Sequence, residues 1–322
     1  MSLEGKTILL TGGTGSFGQK FTEIILKKYN PEVIRIFSRD ELKQWEMEKK
    51  FGSDERLRFF IGDVRDKERL ERAMDGADIV VHAAALKQVP LCEYNPFEAV
   101  KTNILGAQNV IQAAIDHNIE KVLAISSDKA VNPVNLYGAT KMCMEKLFTA
   151  ANAYVGKHRQ TRMSCARYGN VVGSRGSIIP LIKQQKLQGE ITITDERMTR
   201  FWITLDQGVE FVITCIDVMQ GGEIFVPKIP SMKITDLVHA LAPECKVKFI
   251  GIRPGEKIHE CLLTENEVRH SLELDGFFLV QPEHEFRQVK NYKGGKALPS
   301  GFRYTSDKNE DWLTTEKLKE MM

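Results

Sequence analysis

The chain has 322 residues, 42% apolar and 27% charged, and its 45 Lys plus Arg against 43 Asp plus Glu leave a formal charge of +2. At roughly 100–200 residues per domain, this length implies two domains, or one large domain with an annex, and a core that needs no disulfide or metal to hold it. The near-neutral balance argues against a nucleic-acid binder, no apolar run reaches the ~18–20 residues of a membrane span, and the N-terminus lacks a basic-then-apolar leader. Cys92, Cys143, Cys165, Cys215, Cys245 and Cys261 form no C-x-x-C pair and no ligand set with His. They read as reduced thiols of a cytoplasmic protein, with no metal expected.

In chain order, residues 6–11 are a short apolar strand, followed by a glycine turn and a helical stretch over 16–29. Residues 33–38 form the next strand, 41–51 a charged helix, and 57–61 a third strand ending at Gly62-Asp63-Val64. Strands at 79–83 and 122–126 enclose a long helical pattern over 96–117. Near-continuous apolar strands joined by helices indicate a parallel sheet covered on both faces, hence a doubly wound α/β domain. A strong helical pattern at 136–153 follows the fifth strand. After about residue 170, Pro and Gly cluster, with helices expected at 178–187, 206–219, 234–241 and 256–263. The expected division is a dinucleotide-binding domain over 1–168, to which about 205–228 returns, and a smaller substrate-binding α/β annex over 169–322.

Thr11-Gly-Gly-Thr-Gly-Ser-Phe-Gly18 joins the first strand to the first helix and contains G-x-G-x-x-G. Glycines there permit a tight turn and bring backbone N–H groups up to a pyrophosphate, beside the positive end of a helix. Gly12, Thr14, Gly15, Ser16, Phe17 and Gly18 are the candidate contacts. At the end of the second strand, Ser38, Arg39, Asp40 and Lys43 put two cations where a ribose-binding acid commonly stands. Two cations suit a 2′-phosphate, which favours NADP over NAD; the alternative is a pair of solvated helix-start charges with Asp40 as N-cap. Asp63 and Val64 sit where an adenine ring commonly rests, although Asp63 could equally cap the helix that follows.

Tyr137 and Lys141 are four apart, so on a helix both reach one cofactor ribose, and a nearby cation lowers a phenol from its usual ~10. The same spacing recurs at Tyr292/Lys296 and Tyr304/Lys308, in a polar tail where a rigid helix is not expected. Asp128 and Lys129 stand side by side at the carboxyl end of the fifth strand, the edge that lines the ligand crevice in such sheets. There they can serve as proton donor and acceptor.

These motifs resemble the extended short-chain dehydrogenase/reductases that act on nucleotide sugars, a family with a Rossmann-like fold. The likeness runs over Ser38-Arg-Asp-Glu-Leu-Lys-Gln44, His82-Ala-Ala-Ala-Leu-Lys87, Ser127-Asp-Lys-Ala130, Asn135-Leu-Tyr-Gly-Ala-Thr-Lys141, Arg167-Tyr-Gly-Asn170, Gly173-Ser-Arg-Gly176, Met198-Thr-Arg-Phe-Trp202 and Arg253-Pro-Gly-Glu256. Within the family it is similar to the inverting UDP-N-acetylglucosamine 4,6-dehydratases, the branch that opens pseudaminic acid synthesis for flagellin and other surface glycans, and the resemblance spans about residues 4–320. It implies a redox-neutral cycle on tightly bound NADP. Tyr137, activated by Lys141, takes the carbon-4 hydroxyl proton as hydride leaves carbon 4. Lys129 as a neutral amine removes the carbon-5 proton, Asp128 protonates the departing carbon-6 hydroxyl, and hydride returns to carbon 6. Carbon 5 is inverted, and the group that reprotonates it, Tyr137 or a water, stays open. Retaining relatives carry Thr-Asp-Glu at this strand end, so Lys129 in the Glu position favours the inverting branch. The resemblance further implies Ala83 and Lys87 at the cofactor, and Lys87, Asn170, Ser174, Arg175, Thr194, Arg200, Arg253 and Glu256 at UDP-N-acetylglucosamine. Arg200 could instead pair with Asp195 or Glu196. A homo-oligomer such as a hexamer is implied, with no nucleic acid and no membrane as partner. A UDP-sugar 4-epimerase, a retaining dehydratase and an inverting dehydratase of capsule sugar synthesis are the alternative activities.

Overall fold

The computed structural model describes residues 3–52, 54–156, 158–174, 177–283 and 292–321. It opens as β1 (Thr7–Thr11), α1 (Ser16–Lys28), β2 (Val33–Ser38), α2 (Glu41–Phe51), β3 (Leu57–Ile61), α3 (Lys67–Met74) and β4 (Ile79–His82). Every residue of β1 and β4 is buried, as strands covered on both faces must be. Asp40 caps α2 by accepting from the Lys43 N–H, and Asp66 caps α3 by accepting from Arg69, each cap contributing about 1 kcal/mol. Asp66, rather than Asp63, therefore starts α3.

Next come α4 (Val89–Tyr94), α5 (Pro96–Val100), a π-helical turn at Lys101–Leu105, and α6 (Gly106–Asp116). The sequence reads residues 96–117 as one helix; the π turn inside that stretch leaves Thr102 on the main cleft and Asn103 on the backbone N–H and carbonyl of Leu86. β5 (Lys121–Ser127) leads into a 3-10 turn at Asp128–Ala130, then α7 (Leu136–Ala150) and β6 (Arg162–Tyr168). The remainder comprises β7 (Asn170–Val171), α8 (Ile178–Lys186), β8 (Glu190–Ile193), β9 (Thr199–Ile203), α9 (Leu205–Val218), β10 (Ile224–Pro227), β11 (Ser231–Lys233), α10 (Ile234–Leu241), β12 (Lys246–Phe249), β13 (Cys261–Leu263), α11 (Glu265–Val268), β14 (Ser271–Glu273), β15 (Phe277–Val280), β16 (Lys296–Ala297), β17 (Tyr304–Thr305) and α12 (Thr315–Glu320).

Among the described residues, ten strands form one sheet in the order β16-β14-β15-β10-β6-β5-β4-β1-β2-β3. From β10 to β3 every pairing is parallel, while β15, β14 and β16 pair antiparallel at one edge. This is the doubly wound sheet expected from the sequence, and its strand order reverses between β1 and β4, where such folds open a ligand crevice. The stretch read as returning to the first domain supplies α9 and β10 to this sheet. β14, β15 and β16, read as annex, also join it.

Among the described residues there are also three small sheets: β11-β9-β7 and β12-β8 lie around a second core that includes Ile191, Trp202 and Leu237, whereas the buried residues of β13-β17, Leu262, Leu263 and Tyr304, join the large core. Successive strand residues point to opposite faces. On β9, accordingly, Phe201 enters the large core and Trp202 the annex core, both fully buried. β9 is thus the joint between the two.

The helix expected at 256–263 does not form. The Thr199 N–H and the Arg200 guanidinium donate to the Ile258 carbonyl, Arg200 also donates to the Lys257 carbonyl, and residues 261–263 pair with β17. Long-range partners take the backbone groups that a helix would have used. No helix among the described residues is long and apolar enough to cross a membrane.

Candidate active site

A cleft of about 580 Å3 runs along the carboxyl ends of the parallel strands. Gly12, at φ +68°, turns the chain out of β1. A Cβ there would lie 2.8 Å from the Ala84 nitrogen, because the turn is pressed against the chain leaving β4. A Cβ on Gly18 would meet the Gly13 carbonyl oxygen at 2.3 Å, so glycine is what allows α1 to start so close to the turn. α1 has neither a capping side chain nor an acid in its first turn, which leaves its positive end to the cleft. Thr14, Gly15, Ser16 and Phe17 also line it.

Further along lie Ser38, Arg39, Asp40, Lys43, Asp63, Val64, Ala83 and Lys87. The Thr14 hydroxyl donates to Ser38 at 3.0 Å, joining the two loops. Arg39 lies 3.5 Å from Asp63, and Lys43 2.5 Å from Asp40. Burial works to raise the Asp63 carboxyl, but Arg65 and Arg39 hold it below its ordinary value. The Lys87 residue as a whole is exposed, but its ammonium lies in the cleft, where desolvation together with the nearby Lys129 charge lowers it.

β5 delivers Ser127 and the 3-10 turn into the centre of the cleft. Asp128 is wholly buried; its Oδ1 accepts from the Ser127 hydroxyl at 2.7 Å and from Lys129 Nζ at 3.1 Å. Its Oδ2 has no hydrogen-bond partner among the described residues although it is shielded from solvent. Lys129 Nζ also lies 3.5 Å from Asn170 Oδ1 and 3.6 Å from Glu260 Oε1. Burial would lower the Lys129 ammonium, yet Asp128 and Glu260 overcome it and raise it above its ordinary value. The two carboxylates thus favour the charged form of Lys129 over the neutral amine that the resemblance implies.

Asn135 caps α7 by accepting from the Gly138 N–H, and α7 carries Tyr137 and Lys141 on one face. Burial pushes the Tyr137 phenol up to about 12, and the charge that opposes this is Lys129. Lys141 points elsewhere: its ammonium donates to the Ile125 carbonyl at 2.6 Å and lies 3.1 Å from Met144 Sδ. Burial pushes it down to about 8. The sequence reading made Lys141 the cation that lowers the phenol; in the structure the cation opposing burial there is Lys129, while the Lys141 ammonium is turned to the Ile125 carbonyl. Tyr292 and Tyr304, the other two Y-x-x-x-K tyrosines, donate to Glu223 and to the Ile229 carbonyl as packing groups.

Gly138 fixes how closely α7 approaches the catalytic turn, since a Cβ there would lie 2.2 Å from the Lys129 carbonyl oxygen. Backbone on both sides leaves no flexible group to yield. Gly138→Ala is expected to destabilise the fold by about 1–3 kcal/mol, read as a lower denaturant midpoint. An unchanged midpoint would mean that the turn moves freely.

The substrate residues implied by the resemblance separate into groups. Lys87, Asn170 and Ser174 line the cleft. Arg175 lies outside the described residues. Thr194, Arg200, Arg253 and Glu256 are not among the described residues lining it. The Thr194 hydroxyl contacts Met198 Sδ, and the Glu256 carboxylate accepts from the Arg253 N–H. Asp195 pairs with Arg197, which leaves Arg200 to lie 3.7 Å from Glu260. Glu260 and Lys257 escaped the sequence reading because they fall in the stretch expected to be helical. Thr102, in the π turn, also lines the cleft and carried no motif that would have singled it out in the sequence.

The family described as polysaccharide biosynthesis protein matches residues 8–282. An inverting UDP-N-acetylglucosamine 4,6-dehydratase of Campylobacter jejuni is 52% identical, covering 99% of this chain and 97% of that protein. A UDP-glucose 4-epimerase of Rickettsia akari is 42% identical, covering 98% and 95%. The solved structure of Pen from Bacillus thuringiensis has a TM-score of 0.91 and 39% identity, covering all of this chain and 98% of that one. DesIV from Streptomyces venezuelae, a dTDP-glucose 4,6-dehydratase solved with NAD bound, shares the fold at a TM-score of 0.69 and 21% identity, covering 78% and 86%. With the glycine turn, the doubly wound sheet and matches over nearly its whole length, this chain belongs to the polysaccharide biosynthesis family of extended short-chain dehydrogenase/reductases.

Proposed function

We propose that the chain is an inverting UDP-N-acetylglucosamine 4,6-dehydratase, a hydro-lyase that recycles tightly held NADP and yields UDP-2-acetamido-2,6-dideoxy-β-L-arabino-hex-4-ulose. The observation that carries this reading is the Asp128–Lys129 pair, 3.1 Å apart and in one cleft with Tyr137. The cofactor fits the residues present: Gly12 and Gly18 leave room that a Cβ would fill, α1 offers an uncapped positive end, and the cleft extends to Arg39 and Lys43. When bound, the nicotinamide supplies the acceptor for the carbon-4 hydride and the donor that returns it to carbon 6.

Tyr137 takes the carbon-4 hydroxyl proton, and the Lys129 charge favours the phenolate that does so. The ketone then acidifies carbon 5. One proton moving from Lys129 to Asp128 across their hydrogen bond converts ammonium and carboxylate into amine and carboxylic acid with no change of net charge. The amine takes the carbon-5 proton, and the acid protonates the carbon-6 hydroxyl, which leaves as water. Both groups finish as the ion pair with which they began, so a resting lysinium is compatible with a catalytic base.

Arg39 and Lys43 support NADP over NAD, although each already faces a carboxylate. Arg39→Ala is expected to weaken NADP binding about tenfold, or ~1.4 kcal/mol, and to leave NAD within about twofold. Equal losses in titrations with the two cofactors would remove the 2′-phosphate assignment. Six free thiols support a cytoplasmic setting. Exposed Leu91, Tyr94 and Phe97 on adjoining helices support a homo-oligomer, which light scattering would overturn by returning a monomer mass.

The 4-epimerase reading is favoured by the Rickettsia akari relative's name. Proton NMR in heavy water, with UDP-N-acetylglucosamine and NADP+, separates the readings. A carbon-6 methyl, deuterium at carbon 5 and arabino couplings are expected. The methyl with xylo couplings would mean retention, and a galacto product without a methyl would mean epimerisation.

A further inference from the structure

Lys129 sits between two carboxylates, Asp128 at 3.1 Å and Glu260 at 3.6 Å. In the reaction proposed above, Asp128 takes up a proton, and its attraction for Lys129 falls away as the amine must meet carbon 5. Glu260 is not part of that exchange. Its side chain is 3% exposed, with Arg200 Nε and Lys257 Nζ each 3.7 Å away. Arg200 is itself fixed to the carbonyls of Thr199, Lys257 and Ile258, and the Glu260 N–H donates to Ser306 Oγ. The segment is strapped to the catalytic turn by Lys257 on the Val131 carbonyl and Asn135 on the Gly255 carbonyl. Gly255, at φ +80°, makes the close approach, since a Cβ there would lie 3.0 Å from Asn135 Cβ.

We propose that Glu260 is a positioning residue for carbon-5 deprotonation: it holds Lys129 in place while Asp128 carries a proton, and it stabilises the lysinium that forms. The inference rests on the dehydratase reading and deepens it. Glu260 acts only through Lys129, so it touches the transfer from the carbon-4 hydroxyl to Tyr137 only indirectly, by way of the Lys129 charge, whereas carbon-5 deprotonation depends on where Lys129 is held. The chain just before β13 therefore supplies the second anion beside an acid–base pair that the end of β5 presents, far earlier in the sequence.

The test compares two steps in the wild type and in Glu260→Gln. Carbon-4 oxidation is followed in single turnover by the ultraviolet absorbance of reduced nicotinamide. Carbon-5 deprotonation is followed by deuterium uptake in heavy water. Glu260→Gln is expected to keep oxidation within about threefold and to slow deuterium uptake about 100-fold, in line with the cost of a misplaced catalytic group. Glu260→Asp, which restores the charge, is expected to recover about tenfold of that loss. Unchanged uptake in Glu260→Gln would overturn the proposal. So would a fall of both steps by one factor with a lowered melting temperature, which marks a structural role only. If Glu260→Gln fails to fold, Arg200→Lys loosens the same carboxylate and must slow uptake selectively; equal slowing of both steps would overturn the proposal. A wild type that oxidises carbon 4 without taking up deuterium would sink the dehydratase reading, and this inference with it, whereas a defect confined to the variants would not.

Discussion

Lys129→Met is expected to stop the reaction after its first step. Carbon-5 deuterium uptake and methyl formation should fall about 10³-fold, within the usual range for removing a general base. Oxidation at carbon 4 should slow only about tenfold, because the variant loses the charge that opposes burial at the Tyr137 phenol. The sign with pH follows. Without Lys129 the phenol rises further above about 12, so the oxidation that remains should need higher pH than in the wild type. A single-turnover series from neutral to alkaline pH reads both effects, since reduced nicotinamide and 4-keto sugar accumulate together when carbon 5 cannot react. Wild-type deuterium uptake in Lys129→Met would hand the base to another group, with Lys87, whose ammonium is lowered, a candidate amine in the cleft.

Tyr137→Phe should instead block both steps. With no group to take the carbon-4 hydroxyl proton there is no ketone, and without the ketone carbon 5 is not acidic. A loss of about 10³–10⁴-fold in oxidation is expected, and no reduced nicotinamide should appear. In the wild type, oxidation should rise with pH across the neutral range, because a phenol pushed up to about 12 is mostly protonated there. In Tyr137→Phe the residual rate should be flat. Stability should change by no more than about 1 kcal/mol, since the ring stays buried and only a hydroxyl is removed. Oxidation at a tenth of the wild-type rate or better would mean that Tyr137 is not the base. Lys141 would not explain such a result, because its ammonium is engaged by the Ile125 carbonyl.

Much of this was legible in the sequence, for local reasons. The strands expected at 33–38 and 57–61 are β2 and β3 residue for residue, because short apolar runs bounded by turns have few other ways to bury themselves. The helix expected at 41–51 begins where Asp40 caps it, a contact spanning three residues. Gly12 and Gly18 were singled out by spacing, and the structure adds the contacts that exclude a side chain, with Ala84 and with Gly13. Asp128, Lys129, Tyr137 and Lys141 were named because each lies at the end of a strand or the start of a helix, positions that a doubly wound sheet brings to one edge.

What the sequence could not supply depends on residues far apart along the chain. Residues 256–263 carry a helical pattern, but β9 and β17 claim their backbone, and a tertiary pairing outweighs a propensity worth tenths of a kcal/mol per residue. β14, β15 and β16 join the large sheet because its β10 edge offers partners. The charge on Lys129 is set by Asp128 beside it and by Glu260, which no local pattern brings near. By itself, the sequence determined most elements of the doubly wound half, the order in which they occur and the residues proposed to carry the chemistry, since these follow from periodicity, caps and short-range turns. The tertiary structure alone decided that two carboxylates flank Lys129 and favour its charged form, that its charge opposes burial at Tyr137, and that Glu260 stands behind it. Charge states and the direction of a buried ammonium depend on which distant groups share a low-dielectric space, and only packing brings those groups together.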